Sequence, residues 1–115
     1  MAEYNKLLAQ SRPSTTNATA VYNTSKTGMV TEVYSIWICN TSGADATFRA
    51  FFNNNGTTYD QTTALFWDTP IYAGSSIFIE AANQPIATLS TTTARLAVRS
   101  SVANALTFTI SGRER

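Results

Sequence analysis

The stretch Ala46-Thr47-Phe48-Arg49-Ala50-Phe51-Phe52 constrains the fold of this chain more than any other part of it. Side chains of an extended strand point alternately to opposite faces, so residues i, i+2 and i+4 share a face. Ala46, Phe48, Ala50 and Phe52 then line one face, read as core, and Thr47, Arg49 and Phe51 line the other. Asn53-Asn54-Asn55-Gly56 closes the run, and Asn-Gly favours a tight hairpin turn because both residues tolerate positive φ.

The same period recurs along the chain. Strands are expected over 18–22, 29–40, 63–69, 75–82, 85–90, 95–101 and 105–111, with turn signals at 23–28, 41–44, Pro70, Gly74, 83–85 and Asn104. Leu96 and Val98, then Leu106, Phe108 and Ile110, fall on one face, with Arg95, Arg99, Thr107 and Thr109 on the other. The run Ile36-Trp37-Ile38-Cys39 has little polar relief and reads as a central strand covered on both faces or lying at an interface, with Cys39 a small core residue. A helix has one weak candidate, residues 3–10, where Leu7 and Leu8 sit among polar neighbours; the segment could equally be an extended arm. The reading is an all-β protein, an antiparallel β-sandwich of jelly-roll type with about eight strands, in which residues 13–115 form one domain and residues 1–12 an N-terminal arm.

Composition limits what such a domain can do. With 115 residues it has room for a single core. Eight Lys and Arg stand against seven Asp and Glu, and the basic residues are scattered, so no stripe for nucleic acid is expected. Gly-Arg-Glu-Arg at the C-terminus is expected to be solvated. No apolar run is long enough for a membrane helix, so the chain is expected to remain soluble without a membrane partner. The sequons at Asn17, Asn23, Asn40 and Asn55 are expected by chance in a chain this rich in Asn, Ser and Thr.

The catalytic inventory is thin. The chain has no histidine and one cysteine, which excludes Ser-His-Asp and Cys-His arrangements and leaves a zinc site without its usual ligands. No phosphate-binding glycine motif is present. Asp60, Asp68 and Glu80 are the carboxylates that could form an acid–base pair, although nothing in their spacing selects two of them; Asp45 and Asp60 read as loop residues. The expectation is therefore a non-enzyme without cofactor or metal. Trp37, Phe51, Trp67 and Phe78 lie on strands but out of step with the core faces. They are either covered within the fold, part of a subunit interface, or a carbohydrate platform of aromatic rings.

Leu8-Ala9-Gln10-Ser11, Ile36-Trp37-Ile38-Cys39-Asn40, Ala46-Thr47-Phe48-Arg49 and Leu65-Phe66-Trp67-Asp68-Thr69-Pro70-Ile71, taken in this order, resemble a family of small virion structural proteins of tailed bacteriophages. These are framework residues spread over most of the chain, and none is a catalytic signature. The resemblance implies a β-sandwich subunit made in the host cytoplasm and carried in the virion. Its implied role is a capsid decoration, or cement, protein that binds the major capsid protein or another virion protein on the outer head surface as a homo-oligomer, expected to be a trimer. Leu7, Leu8, Trp37, Arg49, Phe51, Tyr59, Trp67 and Phe78 are the expected interface residues. Residues 1–12 would reach a neighbour and order on assembly. The alternative is a tail or baseplate component, or a host-surface module in which Trp37, Trp67 or Tyr59 stacks on sugar rings.

Overall fold

In the computed structural model, residues 6–24, 27–53, 58–81 and 84–115 are described. They form nine strands: β1 (Lys6–Ser11), β2 (Thr19–Tyr22), β3 (Thr31–Asn40), β4 (Ala46–Asn53), β5 (Ala64–Ile71), β6 (Ser76–Glu80), β7 (Ala87–Leu89), β8 (Arg95–Ser100) and β9 (Leu106–Glu114). The pairing is nested. β4 pairs with β5, β3 with β6 and β7, β2 with β8 and β1 with β9, all antiparallel. The chain is thus one long hairpin, doubled back between β4 and β5, whose ribbon is rolled so that β9 also joins β3 and β8 joins β4. Two sheets result: a first sheet in the order β1-β9-β3-β6, with β7 also on β3, and a second in the order β2-β8-β4-β5. Two facing sheets rolled from one ribbon form a jelly roll, as the strand periodicity led us to expect.

The strand beyond the expected eight is β1. It occupies residues assigned from the sequence to an arm or a helix, and it is paired along β9 instead. Leu8 and Ala9 explain this, because both pack against the core and the backbone of β9 supplies their ladder. Residues 1–5 of the expected arm lie outside the described residues, as does most of the Asn-Gly turn at 53–56. Of the C-terminal Gly-Arg-Glu-Arg, expected to be solvated, Gly112 to Glu114 complete β9, and Arg115 follows it, exposed. Arg113 Nε donates to Glu32 Oε1 at 2.6 Å, and the backbones of Arg115 and Val30 exchange hydrogen bonds.

The core lies between the sheets and follows the alternation. Val33, Ile36 and Ile38 of β3 and Leu106, Phe108 and Ile110 of β9 face Phe48 and Ala50 of β4 and Leu96 and Val98 of β8, all of them buried. Phe48 sits 5.6 Å from Phe66 and 6.0 Å from Phe108, ring to ring. Each such side chain contributes about 1.5–3 kcal/mol on burial.

Two polar clusters tie the sheets together. At one end, Tyr22 of β2 donates to Glu114 Oε2 of β9 at 2.7 Å; Thr31 Oγ1 donates to the same oxygen, and Thr24 bonds both Thr31 Oγ1 and the Leu89 carbonyl. At the other, buried Asn40 at the end of β3 donates to the carbonyls of Ala44 and Ile71, while its Oδ1 accepts from the Ser42 amide and hydroxyl. β3 and β9 approach closely at Gly112, where any Cβ would collide with the Glu32 carbonyl oxygen.

Candidate interaction surfaces

The outward face of the first sheet is built by the odd-numbered residues at the end of β3. Because Ile36 and Ile38 point inward, Trp37 and Cys39 must point out. Trp37 lies opposite Phe78 of β6 and Thr109 of β9. Its ring is 4.2 Å from that of Phe78, tilted by 31°, and the two residues remain 48% and 42% exposed. Hydroxyls surround the pair: Thr107, Thr109 and Ser111 on β9, with Gln10 of β1 donating to Thr109 at 3.0 Å. Leu7, opposite Ser111, is 57% exposed near the far edge, whereas Leu8 turns toward the core, so the two expected contact residues of this segment part company. Cys39 is exposed on this face. The expectation that it is a core residue fails because its apolar sequence neighbours Ile36 and Ile38 belong to the opposite face of the strand.

The outward face of the second sheet carries a different construction. Arg49 of β4 and Arg99 of β8 are directly opposite each other, a like-charge pair that needs a counter-ion. Asp68 of β5 provides it. Arg49 donates to both Asp68 oxygens, at 2.6 and 3.0 Å, and Arg99 Nη1 lies 3.8 Å from the nearer one. Irregular register between β4 and β5 and a left-handed backbone at Asp68, φ 51°, aim the carboxylate at the arginines. The hydrogen bond from Arg49 holds the Asp68 carboxyl below its ordinary pKa. The Arg49 guanidinium also lies 3.5 Å over the Trp67 ring, a cation–π contact that locks the indole in place.

Beneath this layer is Phe51. It points away from the main core, as the alternation requires, yet is only 1% exposed. Trp67 meets its ring edge-on at 6.2 Å and 89°, Tyr59 lies 6.0 Å away, and Ala97 of β8 sits directly opposite. Phe51 is therefore the centre of a small second apolar cluster, and the expectation that it is a surface contact residue is corrected. Trp67 itself stays 39% exposed and, with Gln61 and Ala64, lines an open cleft of about 320 Å³.

The expected contact residues thus divide into two groups on opposite sides of the sandwich. Trp37, Phe78 and Leu7 lie on the first sheet; Arg49, Phe51 and Trp67 lie on the second, with Tyr59 packed on Phe51 from the loop before β5. Asp68, Arg99 and Gln61 were not singled out as contact residues by sequence, because their roles depend on which strands become neighbours. The carboxylates Asp60, Asp68 and Glu80 are not brought together: Glu80 is on β6 of the first sheet, Asp68 is committed to Arg49, and Asp60 accepts from Thr62 in the loop before β5. Asp45, read as a loop residue, accepts from the Ala73 amide at 2.9 Å. Among the described residues no group of three His, Cys, Asp or Glu side chains is placed to hold a metal ion.

The fold class is therefore an antiparallel jelly-roll sandwich with two dissimilar outer faces. Comparison with protein families finds no match, and comparison with curated proteins finds none either. Among solved structures, a chain from infectious bursal disease virus, Gx strain, aligns at a TM-score of 0.46 and 10% identity, covering 98% of this chain and 30% of that one. This chain thus spans less than a third of that protein's length, and the fold assignment rests on the strand order.

Proposed function

We propose that this chain is a virion structural protein of a tailed bacteriophage, a decoration subunit that attaches to the outer surface of the head as a homo-oligomer and stabilises the shell by apolar contact. The observation that carries the reading is the stacked, half-exposed Trp37–Phe78 pair on the hydroxyl-rich outer face of the first sheet. Paired rings bury large areas at low entropic cost, and they are held in place by neighbouring strands before any partner arrives. Many modest contacts of this kind, repeated over a shell, add up to firm attachment through multivalency. The framework residues that resemble phage virion proteins favour the same reading. Quantitative mass spectrometry of separated heads and tails tests it. Hundreds of copies per head, lost when Trp37→Ala and Phe78→Ala are combined, are expected, and a handful of copies confined to tails would refute it.

A second reading has its own observation. The Trp67 indole, clamped by Arg49 and lining a cleft with Gln61, offers a rigid ring face next to an amide, which suits stacking on a sugar. In that reading the protein is a host-surface module. A glycan array probed with the wild type and Trp67→Ala distinguishes the two: a Trp67-dependent glycan signal favours the module, and an empty array leaves decoration.

A further inference from the structure

Five strands lie at the edges of the two sheets, because β6 and the three-residue β7 follow one another along the same side of β3; β7 is too short to offer a long edge, and three of the others are blunted. β1 is interrupted by a register shift between Leu7 and Ala9, β2 by one between Ala20 and Tyr22, and β5 by irregular pairing and Pro70. Breaks, prolines and charges of this kind stop sheet edges from pairing with other chains. β6 has neither break nor proline, and its one charge, Glu80, stands at its end. Its register with β3 runs unbroken from Ser76 to Glu80, and its sequence Ser-Ile-Phe-Ile-Glu contains neither proline nor lysine. Among the described residues, β3 is its sole ladder partner.

The ladder shows which backbone groups β6 presents outward. The Asn40 amide donates to the Ser75 carbonyl at 2.8 Å, so the opposed pair Asn40 and Ser75 is hydrogen-bonded. Bonded and non-bonded pairs alternate along an antiparallel ladder. Ile38 with Ile77 and Ile36 with Ile79 are therefore bonded pairs, whereas the N–H and C=O groups of Ser76, Phe78 and Glu80 point away from β3. The short distance between the Trp37 and Phe78 rings fits a non-bonded pair, whose side chains lie closer together.

We infer that β6 pairs antiparallel with β6 of a second copy about a two-fold axis at Phe78. The strand is self-complementary in this register. Phe78 meets Phe78 of the second copy as a bonded pair, and Ser76 meets Glu80 on either side, giving about six backbone hydrogen bonds. On the outer face the two Phe78 rings come together between the two Trp37 rings in one aromatic strip, and each Ser76 hydroxyl can donate to a Glu80 carboxylate. On the inner face the half-buried Ile77 of one copy meets Ile79 of the other. Moving the axis to Ile79 would set each Glu80 against a phenyl ring, and moving it to Ile77 would leave both carboxylates without a hydroxyl. The association is two-fold, in place of the trimer that the resemblance implies, and it stands on the edge geometry alone, independent of the virion reading. A ribbon of this length buries less than the roughly 1,200 Å² of a standard interface, so the free dimer is weak and becomes populated where neighbouring copies are held close.

Sedimentation equilibrium on the full chain, at concentrations reaching about 1 mM to detect weak association, tests the register through charge at an exposed position. Ser76→Lys places an ammonium against Glu80 of the second copy twice per dimer and is expected to tighten association about threefold to tenfold at low salt. Ser76→Glu places carboxylate against carboxylate and is expected to weaken it by a similar factor, with recovery when Glu80→Lys is added. Circular dichroism confirms that each variant keeps its fold. A wild type and Ser76→Lys that both remain monomeric, a trimer as the associated species, or an association that responds alike to both charge signs would overturn the inference.

Discussion

Replacing Asn40 by Asp changes one atom type and reverses the polarity of half a buried side chain. Asn40 is 1% exposed, and all of its hydrogen-bonding capacity is used. Nδ2 donates to Ala44 O and Ile71 O, both at 2.9 Å, and Oδ1 accepts from the Ser42 amide at 2.9 Å and its hydroxyl at 2.7 Å. The Ile71 bond runs from the end of β3 in the first sheet to the end of β5 in the second, so the amide is a strap across the sandwich. In Asn40→Asp the acceptor side survives, but an anionic oxygen replaces the donor and faces two carbonyl oxygens. Two lost hydrogen bonds contribute about 2 kcal/mol, and a desolvated carboxylate without a cation adds further cost, for a total of about 3–5 kcal/mol. For a domain with about 5–15 kcal/mol of net stability this is a large fraction. The sign with pH follows from the same geometry. Burial beside carbonyls raises the folded-state pKa of the introduced acid above its unfolded value near ~3.9, so the penalty is relieved below that value and is complete once pH exceeds the folded pKa. Asn40→Ala, by contrast, orphans the same carbonyls at a cost of about 2–4 kcal/mol that does not depend on the introduced group's titration. Urea unfolding followed by tryptophan fluorescence, with each variant compared with wild type between about pH 4 and 8, measures both differences. A loss below about 0.5 kcal/mol for Asn40→Asp at pH 7, within the range of an ordinary surface change, or a loss that does not shrink on acidification, would refute the reasoning.

Three further outcomes are expected. Gly112→Ala forces its methyl into the Glu32 carbonyl, so β3 and β9 must separate locally; a loss of at least about 2–3 kcal/mol in the same unfolding assay is expected, and a neutral substitution would contradict the close approach. Burial, reinforced by its hydrogen bond to Glu114, raises the Tyr22 phenol to about 12. The protonated form is favoured in the fold, so this stabilisation is present below the unfolded value of ~10 and is lost as pH rises toward the folded one. Spectrophotometric titration should show one of the five tyrosines titrating last, and Tyr22→Phe should remove that step. Asp68 has the opposite sign: its pKa is lowered by Arg49, so its contribution is present above the unfolded carboxylate range and is lost as pH falls through the folded value. Trp67 fluorescence should respond over that acid window in Trp37→Phe, and Asp68→Asn should abolish the response.

Sequence periodicity carried the parts of the fold that depend on one strand at a time. The faces of β4, β8 and β9 follow from alternation alone, since each strand has one dry side filled by Phe, Leu, Ile and Val. Which strands become neighbours is a property of the rolled ribbon, and the misjudged residues are those whose surroundings depend on it. Cys39 has apolar sequence neighbours that face the other way, and Phe51 is roofed by Trp67 and Tyr59 from later in the chain. β1 lacks a strong pattern because only Leu8 and Ala9 reach the core, and its strand state comes from β9. Asn40 resembled one sequon among several, and its strap became visible only when β5 ended beside it.

The nested pairing also sets an order in time. Joining β4 to β5 closes the shortest loop of the ribbon, whereas joining Lys6 to Gly112 brings together positions near the two ends of the described chain. Loop-closure entropy grows with the length enclosed, and contacts distant in sequence slow folding. Folding is therefore expected to start at the middle of the polypeptide and zip outward, with β2–β8 before β1–β9. β1 is then expected to dock last and to peel away first, so its amides should exchange with solvent deuterium ahead of those in β3 and β4.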